Sequence, residues 1–293
     1  MIVGMRIWAR LLTLCGVMPL AACGGGTLLN TLTSTPDLSG NWEIVSQAGA
    51  TTGSLPAAGL LLVGSLTSQG SSVSGIFRLA NLTLPNACGA PLQQIVTVSG
   101  SIDSSRNLSL TSAPFSGSVL SMKFVVPPTL SAVGAGATLT ALAGTVAITG
   151  GSCTFASSTA FGSEIVSLSG TFAGPLTAST YLATPPIPIG AANLVLLQAV
   201  APQADGQFPV TGTLKFTGGG CTSSTPLSGT ISGTQLILAS AATGIFNTST
   251  DHMIAIVNLA TGQLDVASLV YGLGPCSTGI SAIAQYTGNL TRQ

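Results

Sequence analysis

One histidine, seven carboxylates and six cysteines are the side chains of this 293-residue chain whose chemistry has to be weighed first. His252 follows Asp251, a pairing that invites a triad reading. Neighbours on a strand point to opposite faces, so Asp251 is not placed to orient the imidazole. No G-x-S-x-G nucleophile elbow accompanies the pair; Gly70-Ser71-Ser72-Val73-Ser74 is the nearest approach and lacks the second glycine. The pair therefore reads as the polar start of a strand, Met253-Ile254-Ala255-Ile256-Val257. Asp37, Glu43, Asp103, Glu164, Asp205, Asp251 and Asp265 are scattered singly, with no i, i+2 or i, i+4 pair. That spacing offers neither a glycosidase dyad nor a calcium loop. No catalytic residue, metal site or cofactor is expected, and the chain is read as not an enzyme.

The cysteines carry more information. Arg6 and Arg10 precede an apolar stretch, Leu11 to Leu20, which ends in Leu20-Ala21-Ala22-Cys23. The stretch is about half the roughly 20 residues a spanning helix needs, the pattern of a removed signal peptide. Leu20-Ala21-Ala22-Cys23 resembles a bacterial lipobox, which implies cleavage before Cys23, a diacylglyceryl thioether on its sulfur and N-acylation. Residues 1–22 are then a signal peptide and 23–37 a lipidated tether opening with Gly24-Gly25-Gly26. Two or three acyl chains hold far more firmly than one, each buried methylene adding about 0.8 kcal/mol. Because Gly24, not Asp, follows Cys23, the resemblance to Gram-negative lipoproteins implies the outer membrane.

Composition limits the partners. Charged residues are 5% of the chain, against about 25% in typical soluble domains. Without Arg6 and Arg10 the balance is five Lys/Arg against seven Asp/Glu, a net of −2. No basic patch for nucleic-acid phosphates can be built from that, so nucleic acid is excluded. Val, Ile, Leu and Phe recur in every segment, which supplies a core and argues against disorder beyond about Leu38.

The elements follow from a repeated pentapeptide: apolar, Ser/Thr/Ala, Gly, any residue, apolar. It appears as Leu38-Ser39-Gly40-Asn41-Trp42, Val73-Ser74-Gly75-Ile76-Phe77, Val98-Ser99-Gly100-Ser101-Ile102, Leu142-Ala143-Gly144-Thr145-Val146 and Leu168-Ser169-Gly170-Thr171-Phe172. Later copies centre on Gly212, Gly229 and Gly288. The copies suit strands with one buried face, and the glycine marks a bend, a bulge or a close backbone approach. Phe77, Phe124, Phe172, Phe216 and Tyr271 fall within these patterns and are read as core. No long stretch has helical periodicity with caps. The order Gly75, Cys88, Gly100, Gly144, Cys153, Gly170 is answered by Gly212, Cys221, Gly229, Gly272, Cys276, Gly288, a duplication. Asn193 to Gln198 weakly echoes Asn41 to Gln47, and Pro185-Pro186-Ile187-Pro188 makes a stiff linker between halves. The expected fold is all-β: two duplicated antiparallel meander units, barrel-like or sandwich, at 38–184 and 189–293. One continuous barrel or sandwich is the alternative.

Four cysteines remain after Cys15 leaves with the leader and Cys23 takes lipid. An even number in an exported chain reads as disulfides, and no C-x-x-C pair suggests zinc. Matching slots in the two repeats favour Cys88–Cys153 and Cys221–Cys276, which gives both repeats the same closed geometry.

From the lipobox through both repeats, the chain resembles uncharacterised bacterial envelope lipoproteins, which implies an anchored β-domain and no activity. Gly40-Asn41-Trp42 also resembles the G-x-W that opens lipocalin-like barrels. There the tryptophan closes the barrel floor and pairs with an arginine from a late strand. No arginine lies between Arg106 and the linker, so Arg292 is that partner only if the whole chain closes into one barrel. Three functions compete: a structural or interaction module of the envelope, held to the membrane by its N-terminal lipid and meeting an envelope protein; a lipocalin-like carrier of an apolar ligand; and, distantly, an envelope hydrolase.

Overall fold

Alternation decides which way each strand faces. In Asn107-Leu108-Ser109-Leu110-Thr111-Ser112 the two leucines are buried and the intervening polar side chains are exposed. Repeated along the chain, this period of two gives each strand one apolar face, and a meander of such strands hides that face by closing on itself. The computed structural model describes residues 35–47, 59–81, 94–127, 142–151, 154–180, 189–218, 221–240, 252–259, 261–272 and 283–293. Among them there is no helix; the chain is all-β.

Eight antiparallel strands close the first barrel in sequence order: β1 (Gly40–Gln47), β2 (Gly59–Gln69), β3 (Ser72–Asn81), β4 (Gln94–Ile102), β5 (Asn107–Ser112), β6 (Val119–Val125), β7 (Leu142–Thr149) and β8 (Phe155–Ile165). Closure is made by β1 against β8, with Trp42 opposite Glu164 and Ile44 opposite Gly162. The second barrel comprises β9 (Gly170–Thr180), β10 (Ile189–Gln198), β11 (Phe208–Gly218), β12 (Cys221–Ser232), β13 (Gln235–Ala239), β14 (His252–Val257), β15 (Leu264–Gly272) and β16 (Ile283–Arg292). It closes through β16 against β9, with Arg292 opposite Phe172.

The duplication is thus two closed barrels, not one continuous barrel or sandwich, but its border differs from the one expected. β9 pairs with β10 and β16, so Gly170–Thr180 belongs to the second barrel rather than to a unit ending at 184. The reason lies in the core: Leu168 and Phe172 are buried with the second cluster, and so is Ile165 at the end of β8. The proline cluster 185–188 falls within the β9–β10 connection and outside the described residues. The internal alignment shifts accordingly. Leu168-Ser169-Gly170-Thr171-Phe172 is the counterpart of Leu38-Ser39-Gly40-Asn41-Trp42, each opening the first strand of its barrel. Asn193 to Gln198 lies on the second strand and does not correspond to Asn41–Gln47.

The repeated glycines within the barrels serve close approach between strands, whereas Gly40 and Gly170, which open them, have no neighbouring backbone at their Cβ position. A Cβ on Gly100 would collide with the Ser109 carbonyl oxygen, and one on the matching Gly229 with that of Ile237. Tight curvature of these sheets depends on leaving that space empty.

Candidate functional site

Four places in the molecule could carry function: the base of each barrel, the interiors, the junction between barrels, and the outer walls.

At the base of the first barrel Trp42 is buried, and its indole Nε1 donates to the Leu38 carbonyl at 2.8 Å. Ser68 holds the entering chain: Leu38 N donates to Ser68 Oγ at 2.9 Å, and Ser68 N donates to Ser39 Oγ at 3.0 Å. Gln198 repeats the device, accepting from Leu168 N at 2.9 Å while its own N–H donates to Ser169 Oγ at 3.1 Å. Gly40 and Gly170 sit at φ 156° and 145°, where a side chain is disfavoured. Sequence and geometry therefore agree that the two pentapeptides are one structure used twice.

Arg292 does not reach Trp42. Its guanidinium lies 5.1 Å from the centre of the Phe172 ring, and Nη2 donates to the Ser167 carbonyl at 2.7 Å. A late-strand arginine over a first-strand aromatic is what the lipocalin resemblance implies, but it occurs in the second barrel and needs no single large barrel. At the matching position the first barrel has Glu164, opposite Trp42. Burial, and then the negative charge of Asp37, push the Glu164 carboxyl above its ordinary value. Asp37 moves the other way, held low by the Ser39 N–H and the hydroxyls of Ser68 and Ser39.

Among the described residues, the inward-facing side chains of both barrels pack against one another. Leu38, Trp42, Leu60, Leu62, Phe77, Leu108, Leu120 and Leu142 have 0% relative exposure. So do Phe172, Leu176, Leu194, Leu214, Leu236, Leu238, Met253 and Tyr286. A side chain with no accessible area borders no space that a water-sized sphere can enter. The two barrels reach this packing differently. Phe216 and Tyr286 meet at a tilt of 57° with ring centres 4.8 Å apart in the second, and Gly190 leaves room for the Phe216 ring. The first barrel puts Leu60, Leu79 and Ser158 in the corresponding registers.

Turns of the second barrel dock on the outer wall of the first. Asn41, buried although it points outward, donates from Nδ2 to the Gly233 carbonyl at 2.9 Å, and its Oδ1 accepts from Gly233 N at 3.1 Å. Glu43 Oε2 accepts from Thr234 N at 3.0 Å and Thr234 Oγ1 at 2.8 Å. Arg78 Nη2 meets Asp205 Oδ2 at 2.9 Å. With its amide turned to satisfy both atoms, Gln207 accepts from Arg78 Nη1 at 2.9 Å and donates to Thr230 Oγ1 at 3.0 Å. Ser65, on the outer face of β2, is also buried. Sequence reasoning missed the junction because Asn41, Glu43, Arg78 and Asp205 look like ordinary solvent-facing residues of polar strand faces and turns.

Of the residues singled out by sequence, Cys23, Cys88, Cys153, Cys276, Tyr271's side chain and Asp251 lie outside the described residues. Cys221 opens β12, with its side chain outside the description. His252 opens β14, half-buried, in register with Ala239 and Val270. Phe77, Phe124, Phe172 and Phe216 are core residues. Among the described residues no group of three or more His, Cys, Asp or Glu is placed to hold a metal ion. Comparison with protein-family models, curated proteins and solved structures finds no match.

Proposed function

We propose that this chain is a lipid-anchored protein of the bacterial cell envelope, acting as a structural or interaction module, held to the outer membrane through Cys23. The packed interiors are the observation that carries this reading over a carrier. A pocket for an apolar ligand needs a volume of roughly 300 Å³ or more, and the large inward-facing side chains Trp42, Phe77, Phe172 and Tyr286 have no accessible surface to offer one. The function then belongs to the outer walls, which the junction Asn41–Gly233, Glu43–Thr234 and Arg78–Asp205 holds in a fixed relation. The aromatic and arginine at the base of the second barrel support a lipocalin-like construction without the carrier role. Titration of the purified protein with long-chain fatty acids and an environment-sensitive apolar dye tests the choice. The module reading expects no saturable binding. Saturation at one molecule per barrel replaces it with the carrier.

A further inference from the structure

We infer that the β10–β11 hairpin tip is a membrane-contacting wedge, seated in the same phospholipid leaflet that holds the Cys23 lipid; the inference rests on the anchor reading above. Val195 and Leu197 point outward from β10 and are 48% and 66% exposed, and Val200, in the turn that follows, is 99% exposed. They form a continuous apolar run on one strand and its turn, extended by Ala201 and Pro202.

Charge points to the same occupant. Asp205 is the one ionisable residue from 199 to 207, and it faces Arg78 in the junction. The tip itself carries no charge, which suits a neutral lipid surface and offers nothing to an acidic or basic protein partner.

The chain's own anchor can reach. Leu38, where the tether ends, is three residues from Asn41, a distance of at most about 11 Å. Asn41 is bonded to Gly233 in the β12–β13 turn, which lies at the same end of the second barrel as the β10–β11 turn. Two or three strand spacings separate those turns, about 10–15 Å. With the Asn41–Gly233 contact itself spanning several ångströms, Val200 is within roughly 35 Å of the tether's end, and a chain of 14 residues extends to about 50 Å. Lipid and tip can enter one leaflet together, which would fix the orientation of both barrels against the membrane.

The test uses the mature protein extracted from membranes, its N-terminus read by mass, in liposomes of phosphatidylcholine with brominated acyl chains. Val200→Trp is compared with Thr111→Trp, on the outer wall of β5, and with the unsubstituted protein, whose Trp42 is buried. The expected result is a blue-shifted added emission from Val200→Trp, quenched about twofold or more by the brominated chains, as for a side chain 5–10 Å into the leaflet. The Thr111→Trp emission stays unquenched. A protein that floats with the liposomes while Val200→Trp emits as in water overturns the wedge and leaves the anchor standing. Quenching with an unlipidated N-terminus keeps the wedge and removes the anchor. Failure to float removes both. Blue-shifted emission without quenching, with cross-linking between copies at position 200, assigns the tip to a second copy and overturns the inference.

Discussion

Replacing Asn41 by alanine removes the amide that meets both backbone groups of Gly233. The Gly233 N–H and C=O are then buried without those partners, each at a cost of about 1–3 kcal/mol. Allowing for water entering the gap, the loss is about 2–4 kcal/mol. For a folded region of this size, about 2–4 °C of Tm goes with each kcal/mol, so a fall of roughly 4–16 °C is expected. Scanning calorimetry measures it and also reports cooperativity. The intact junction predicts one transition for both barrels, and Asn41→Ala combined with Arg78→Ala predicts two. Asn41→Asp separates the two bonds, since its carboxylate accepts from Gly233 N but cannot donate to Gly233 O; an intermediate Tm is expected. A Tm for Asn41→Ala within about 1 °C of the parent would refute the junction as a latch, because no buried pair of groups could then be depending on the amide.

Glu164 has a raised carboxyl in the folded state, so the folded protein holds its proton more tightly and stability falls as pH rises from the unfolded value near 4.5 through the raised one. Glu164→Gln abolishes that decline, and urea titrations from pH 4 to 8 should show the variant gaining on the parent as pH rises. Asp37 is depressed, so its contribution is present above about 3.8 and is lost as pH falls through its lower folded value; Asp37→Asn should remove that acid-side loss. Gly190→Ala drives a Cβ into the Phe216 ring and should cost about 1–3 kcal/mol or more by overpacking. Adding Phe216→Leu, the residue the first barrel carries at position 79, should recover much of that cost, a non-additivity read by a denaturant double-mutant cycle. Peptide mapping without reduction should give Cys88–Cys153 and Cys221–Cys276. By position Cys88 and Cys153 fall in the β3–β4 and β7–β8 connections, Cys221 opens β12 and Cys276 falls in the β15–β16 connection, so each pair belongs to one end of its barrel, and in the chain-entropy model each closed loop would stabilise by about 4 kcal/mol.

The strands were legible because alternation is local: Leu108-Ser109-Leu110 announces its inner and outer faces in three residues, whereas in Leu236-Ile237-Leu238 only the closed sheet shows that Ile237 faces outward. The glycine of the pentapeptide was legible as a point of close approach for the same reason. The border between barrels was not, because a proline cluster is a strong local signal while strand partnership is a property of the closed sheet. Leu168-Ser169-Gly170-Thr171-Phe172 was visible as a repeat. Its equivalence to the Gly40-Asn41-Trp42 start became plain only from the paired hydrogen bonds of Ser68 and Gln198. Arg292 shows the same limit: its type was noticed, yet its partner depends on which strand closes the second barrel. The junction joins residues such as Asn41 and Gly233 that are 192 positions apart, and no sequence period reports such a contact.

A native mass spectrum of the protein extracted from membranes in mild detergent tests the central claim most directly. The account predicts a polypeptide beginning at Cys23, carrying its diacylglyceryl and acyl groups, with no other small molecule bound in stoichiometric amount. An apolar molecule held at one per barrel and released on unfolding would contradict it.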